Sequence, residues 1–317
     1  MEALQPKIEM PIYPHPDIAE LKTPCRRPVT QNQIPQRPVP QRNELVGWPQ
    51  QPIEWPQQPV VFAPSHFDTR ELVEQTAEWP NSVHGLVAVD FDNTRCWGTG
   101  ILIGPNIVLT AAHNLYDFDK RIYAKLETMQ FLPGINGQQL PFDFVEVEQH
   151  FISPNYITER TEDYAILILK EPIGYKTGYF GLCPEPEDPE SQDINIYGYP
   201  FDKVEDRRNT YEMWRASGEV GRIDPVRGII SHVISTNLGQ SGSGVWYKKG
   251  RDYYIYGVHI STSATGLGKR ATLLTKACYK RIYAWLECSR FCGFLFELGK
   301  KPNLRDFDIN FNEGEFE

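Results

Sequence analysis

The chain has only six cysteines in 317 residues, at positions 25, 96, 183, 278, 288 and 292. They are too scattered for a disulfide scaffold or for paired metal-ligand spacing. Reduced, mostly structural thiols are expected, with Cys288 and Cys292 facing the same way if their segment is helical. Long apolar runs are also missing. Nothing approaches the roughly 18 residues of a membrane-spanning helix. The first twenty residues carry prolines at 6, 11, 14 and 16 and no apolar core of a secretory signal. Positive charge is scarce: the formal net charge is −9, and the densest basic run, Lys248-Lys249-Gly250-Arg251, has the look of a hairpin tip. A nucleic-acid partner, which needs a basic footprint, is therefore excluded. The seven histidines, at 15, 66, 84, 113, 150, 232 and 259, form no H-E-x-x-H pair. The run 266–269 (GLGK) is followed by Arg270, and Ser263 stands where a P-loop needs its first glycine. No metal and no cofactor is expected. No N-x-S/T sequon occurs, so glycosylation offers no pointer to a secretory route, and the compartment stays open.

What is present divides unevenly along the chain. Fourteen of the 26 prolines lie in residues 1–64, together with nine glutamines, and the pentapeptide WPQQP at 48–52 recurs at 55–59. Proline fixes φ and removes the backbone donor, so this stretch cannot be helix or central strand and should be extended. It reads as a flexible leader, a removable pro-segment or a docking tail for a proline-binding partner at 48–59. From residue 65 short apolar runs alternate with turn residues. Gly85–Phe91, Gly98–Ile103, Ile107–Leu109, Val145–Val147 and Tyr164–Leu169 form one set of expected strands. Ile194–Gly198, Met213–Val220, Ile229–Thr236, Ser243–Trp246 and Tyr253–His259 form a second, beyond a Pro/Glu/Asp-rich connector at 183–193. Many short strands at near-regular spacing argue for an all-β sandwich or barrel architecture. One helix is expected, at about 276–288, where Tyr279, Ile282, Tyr283 and Leu286 repeat at helical spacing. An acidic tail follows at 296–317.

Three segments carry chemistry. Residues 98–113 (GTGILIGPNIVLTAAH) are two apolar strands around a Gly-Pro-Asn turn, ending in His113. Residues 161–169 (TEDYAILIL) lead Asp163 straight into a buried strand, with Glu162 as a rival carboxylate. Residues 236–246 (TNLGQSGSGVW) flank Ser241 with glycines that allow a turn exposing a hydroxyl and pointing N–H groups inward. A serine hydroxyl needs a base to take its proton; a neutral histidine can serve near pH 7, and a buried carboxylate can hold its tautomer. The order His, Asp, Ser differs from that of subtilisins and α/β-hydrolases, and the hydrolase elbow fails because Ser243 replaces its second glycine.

In these motifs the chain resembles the trypsin-like serine peptidases, and within them the bacterial glutamyl endopeptidases, from about Arg70 to Leu286. The resemblance extends to Tyr197–Pro200 and Gly257–His259. It implies two six-stranded antiparallel barrels, at about 80–182 and 190–275 inside a peptidase domain of 65–295. It implies a serine endopeptidase acting on protein or peptide substrates, with His113, Asp163 and Ser241 as catalytic residues and the N–H groups of Gly239 and Ser241 as oxyanion hole. Thr236 and His259 match the branch's substrate-pocket pattern and imply cleavage after Glu, or Asp. Ser235 stands where trypsins carry their specificity aspartate. Gln240 replaces the aspartate that pairs with a new N-terminus in digestive relatives, and Gly244 replaces a usual proline. The branch's use of a processed α-amino group would put the mature start near Val60–Ser65, making the protein a zymogen. Such proteins are usually exported. The rival readings are a catalytically silent binding module on the same fold, and an adaptor working through the Pro/Gln segment.

Overall fold

Residues 25–28, 51–52, 68–92, 94–183, 193–204, 211–262 and 268–297 are described by a computed structural model of the chain. Most of the repeated WPQQP region, the connector at 184–192, the tail beyond Glu297 and the side chains of Cys288 and Cys292 lie outside the described residues. Among the described residues, Cys25, Cys96, Cys183 and Cys278 form no disulfide.

Alternation of apolar and polar residues sets the strands. Val145 and Val147 point inward and Glu146 and Glu148 outward along one of them, as the two-residue period of a half-buried strand requires. Six strands make the first barrel: β1 (His84–Phe91), β2 (Thr94–Gly104), β3 (Ile107–Thr110), β4 (Gln130–Pro133), β5 (Val145–Ile152) and β6 (Ala165–Leu169). Six more make the second: β7 (Asp193–Gly198), β8 (Trp214–Asp224), β9 (Ile229–His232), β10 (Gly244–Lys249), β11 (Asp252–Thr262) and β12 (Lys269–Leu273). Each sheet closes on itself, through β2–β3 in the first barrel and β11–β12 in the second. Around either barrel the strands run first, second, third, sixth, fifth, fourth, so the two halves share one topology. Lys248 to Arg251 do form the tip of the β10–β11 hairpin.

Two barrel strands escape a reading by pattern. β4 is a four-residue run ending in proline, and β12 opens with Lys269-Arg270; neither offers an apolar alternation long enough to recognise. The expected strand Ile229–Thr236 stops at His232, because its partner β12 begins at Lys269 opposite that residue and offers no ladder beyond it. Residues 233–237 thereby leave the sheet and carry Thr236 toward the loop that holds Ser241. The C-terminal helix runs Lys276–Glu297. Among the described residues no helix is long and apolar enough to cross a membrane.

Aromatic rings fill the seam between the barrels. His84, at the head of β1, stacks on Tyr197 of β7 at 4.9 Å and meets the edge of Phe180 at 5.7 Å, with Trp246 of β10 at 6.0 Å. It is fully buried, and neither ring nitrogen has a hydrogen-bond partner among the described residues. Burial alone pushes its pKa down to about 3, so the imidazole sits in the seam as a neutral aromatic. His232 is depressed to about 3 as well, by burial and then by the charge of Lys269. An unfolded chain binds a proton at each of these sites near the ordinary 6.5. Their contribution to stability is whole above that pH and is lost as pH falls toward about 3, at roughly 1.4 kcal/mol per pH unit for each histidine. His84→Phe keeps the ring and removes one titration. Melting temperature followed from neutral pH downward should fall less steeply for this variant than for the wild type.

Candidate active site

His113 is delivered by the β2–β3 hairpin. After Thr110 the chain passes through Ala111 and Ala112, both fully buried, into a single 3-10 turn, Ala112–Asn114. Side chains larger than a methyl would hold the backbone off the core here. Asp163 arrives from the other direction, just ahead of β6. Its Oδ1 accepts the His113 backbone N–H at 3.0 Å, and its Oδ2 lies 2.7 Å from His113 Nδ1. Asp163 is 2 % exposed and His113 5 %, so the carboxylate is buried with two donors in place, the condition under which a buried charge is tolerated. The second barrel secures the same residue: Thr272 Oγ1 on β12 donates to the Asp163 carbonyl at 3.2 Å. The rival acid, Glu162, has a left-handed backbone (φ 50°) and instead accepts from Ser153 Oγ at 3.2 Å.

Ser241 sits in the turn before β10. Gly239 and Gly242 have φ of 87° and 91°. A Cβ on Gly242 would fall 2.1 Å from the Thr99 carbonyl, and one on Gly239 2.4 Å from the Tyr199 carbonyl, so both positions require glycine. The Ser241 carbonyl is held from the first barrel by the Thr99 N–H at 2.8 Å and by Asn114 Nδ2 at 2.9 Å. Asn114 is the residue after His113; its Nδ2 also reaches Thr110 Oγ1 at 2.9 Å. Ser241 Oγ donates to the Ile260 carbonyl at 3.2 Å. Around the turn the Gln240 N–H is bonded to Asn237, that of Gly242 to His259 and that of Ser243 to Gln240. Those of Gly239 and Ser241 meet no backbone acceptor among the described residues. Gln240 Oε1 accepts the Asn237 N–H at 2.8 Å and so closes its own loop.

His259 lies on β11, with its N–H bonded to the Ser243 carbonyl and its carbonyl to the Gly242 N–H, each at 2.8 Å. Its Nδ1 is 3.3 Å from Nε2 of the buried His232. Burial, followed by His232, Lys269 and His113, drives its pKa well below the ordinary value, while a hydrogen bond to the Arg270 backbone acts the other way. The His259 imidazole is therefore neutral at pH 7. Thr236 is 7 % exposed, and its Oγ1 is buried without a partner among the described residues. Three contributors had no sequence signal: Asn114, Thr99 and His232 are ordinary in sequence and are brought to Ser241 and His259 only by the fold.

Residues 98–252 match the trypsin-like peptidase domain family. The glutamyl endopeptidase of Bacillus licheniformis is 29 % identical over 225 residues, which cover 69 % of this chain and 67 % of that one. An extracellular metalloprotease of Bacillus subtilis is 25 % identical over 224 residues, covering 69 % and 68 %. A solved structure of a Glu endopeptidase superposes with a TM-score of 0.61 at 26 % identity, over 71 % of this chain and 98 % of that one. Taken with the two barrels, these similarities give the chain a trypsin-like fold, with a trypsin-like peptidase domain matched at residues 98–252, and make it a serine-type endopeptidase. It is similar to the glutamyl endopeptidases. Among the described residues no group of three or more His, Cys, Asp or Glu could hold a metal ion.

Asn114 gives the first test of this geometry. Asn114→Ala removes both bonds that its Nδ2 makes. It should destabilise the fold by about 1–3 kcal/mol in denaturant unfolding and lower kcat more than it raises KM.

Proposed function

We propose that this endopeptidase works through an acyl-enzyme on Ser241, with His113 as general base and Asp163 as the orienting carboxylate, and that it prefers glutamate, or aspartate, on the acyl side of the bond it cuts. The observation that carries the reading is the double grip of Asp163 on His113, with the neighbouring Asn114 bonded to Ser241. A carboxylate at Nδ1 keeps the proton on that nitrogen and leaves Nε2 as the acceptor. The Ser241 hydroxyl turns from the Ile260 carbonyl, gives its proton to Nε2 and attacks the substrate carbonyl carbon. The negative oxygen that forms is met by the N–H groups of Gly239 and Ser241. The imidazolium then protonates the leaving nitrogen, the C–N bond breaks, and an ester remains on Ser241. Water attacks that ester with His113 again as base, releasing the acid and restoring the hydroxyl.

The preference for an acidic side chain is supported by the buried Thr236 hydroxyl, which has no partner among the described residues, and by His259, whose backbone bonds to Gly242 and Ser243 beside Ser241. A substrate carboxylate placed against a neutral imidazole favours its protonation, so selectivity should be linked to proton uptake. Contacts made by residues 68–70 support a pro-segment at residues 1–64 ahead of a peptidase domain at 65–295. The Thr69 N–H and Oγ1 each lie 3.3 Å from Oγ of Ser235, the neighbour of Thr236, and Arg70 pairs with Asp68 and Asp202. A start near Val60–Ser65 would bring a new α-amino group toward the same pocket.

Cleavage of a peptide library by wild type and Ser241→Ala tests the nucleophile and the preference together; kcat should fall by about 10⁶-fold in the variant. His259→Leu should erase most of the Glu-over-Leu preference, by about tenfold or more in the ratio of kcat/KM, and an intact preference would refute the pocket assignment. For wild type the Glu-over-Gln ratio should rise as pH is lowered from 8 to about 6, because any pH effect common to both substrates cancels from the ratio. Intact-mass measurement of active protein reads the processing, and fully active uncut chain would rule out a required cut.

A further inference from the structure

β2 has two edges. One pairs with β1 over its length, from Phe91 opposite Thr94 to His84 opposite Ile101. The other is shared by three partners in succession. From Gly100 onward it pairs with β3. At Thr99 its N–H bonds to the Ser241 carbonyl, while its own carbonyl accepts from Thr110 Oγ1 at 2.8 Å. At Cys96 and Trp97 it is covered by the two-residue strand Gln51–Pro52, which runs parallel with Gln51 opposite Cys96 and Pro52 opposite Trp97. Backbone groups alternate between the edges of a strand with a period of two, so Trp97 directs its N–H and carbonyl to the same side as Thr99. A peptide laid across Ser241 and extending two residues along this edge, about 7 Å, meets ground that residues 51–52 already hold. The same Trp97 supports the turn of Ser241: its indole N–H donates to the Tyr199 carbonyl at 3.2 Å, and a Cβ on Gly239 would lie 2.8 Å from that nitrogen.

A second hold lies further upstream. Arg26 exchanges N–H···O bonds of 3.0 and 2.9 Å with Tyr179, and its guanidinium lies 5.2 Å above the ring of Tyr175. Gly178, with φ of 81°, leaves room for the Arg26 carbonyl, which a Cβ there would approach to 2.8 Å. The segment is thus attached at two points. Its composition suits an edge strand, because proline cannot donate to a ladder and is accepted only at an edge, and a Pro/Gln chain already extended loses little freedom on docking. Two residues of pairing are weak alone, and a tether raises their local concentration into the millimolar range.

We propose that this edge of β2 is a docking surface for an extended Gln-Pro strand, that the first WPQQP copy of this chain is its occupant, and that the docked strap competes with peptide substrates beside Ser241. The competition rests on the assignment of Ser241 as attacking group. The test compares the full-length protein with a full-length variant whose residues 46–59 are replaced by glycine and serine at equal length, which keeps the Arg26 hold. In hydrogen–deuterium exchange the Trp97 amide should exchange about tenfold faster in the variant. For peptides of about eight residues, kcat/KM should rise about tenfold, while the rate of fluorophosphonate labelling at Ser241 changes by less than about twofold. A synthetic peptide of residues 46–59 added to the variant should restore protection and inhibit competitively. Equal exchange in the two proteins would overturn the docking. Faster exchange with unchanged peptide kinetics would overturn the competition. Absence of fluorophosphonate labelling in both would remove Ser241 as nucleophile and the competition with it, with exchange still deciding the docking.

Discussion

A few hydrogen bonds at Thr99 join the two halves of this molecule where its chemistry lies. The Thr99 N–H holds the Ser241 carbonyl, its Oγ1 donates to the Gly239 carbonyl at 2.8 Å, and its own carbonyl is occupied by Thr110, which in turn receives Asn114. Each barrel on its own presents an incomplete set: His113 and Asp163 come from the first, Ser241 and His259 from the second. The polar atoms at the contact are buried, where an unpaired donor or acceptor costs about 1–3 kcal/mol, so there is little freedom to slide one loop against the other. Positional accuracy at the site follows from that lack of alternatives.

Around this junction the two barrels treat histidine in contrasting ways. His113 is gripped by a carboxylate. His84 is left with aromatic neighbours only, and burial keeps it uncharged. His232 and His259 face each other without an acid between them, near Lys269, and burial keeps them neutral too. The same side chain is a carboxylate's partner in one place, an apolar filler in another and a neutral imidazole beside a lysine in a third, according to what packs against it. With His259 neutral, the proposed acidic preference is one that a substrate carboxylate would itself complete.

The N-terminal segment changes meaning once its contacts are considered. Composition alone leaves it as leader, pro-segment or tail for a proline-binding partner. Pairing of residues 51–52 with β2 and of Arg26 with Tyr179 makes the peptidase domain itself the surface it meets. A removable segment and a docking tail are then compatible descriptions of one element: what binds in cis beside the site can also be cut away from it.

Much of the architecture was legible because barrel strands alternate with a period of two and are punctuated by glycine, proline and asparagine. The Gly-Pro-Asn turn before His113, the buried run after Asp163 and the glycines around Ser241 are local features with local causes. β4 and β12 were not legible, since a four-residue run ending in proline and a strand opening Lys-Arg become strands only when neighbours supply the ladder. Asp163 was preferred to Glu162 only through the resemblance, and nothing in the sequence brought forward Asn114, Thr99 and His232. Those assignments depend on which side chains meet across tens or hundreds of residues, a matter of closure and packing that no local pattern encodes. Residue types and their order named the chemistry; only the closing of two barrels against each other determined which atoms face which.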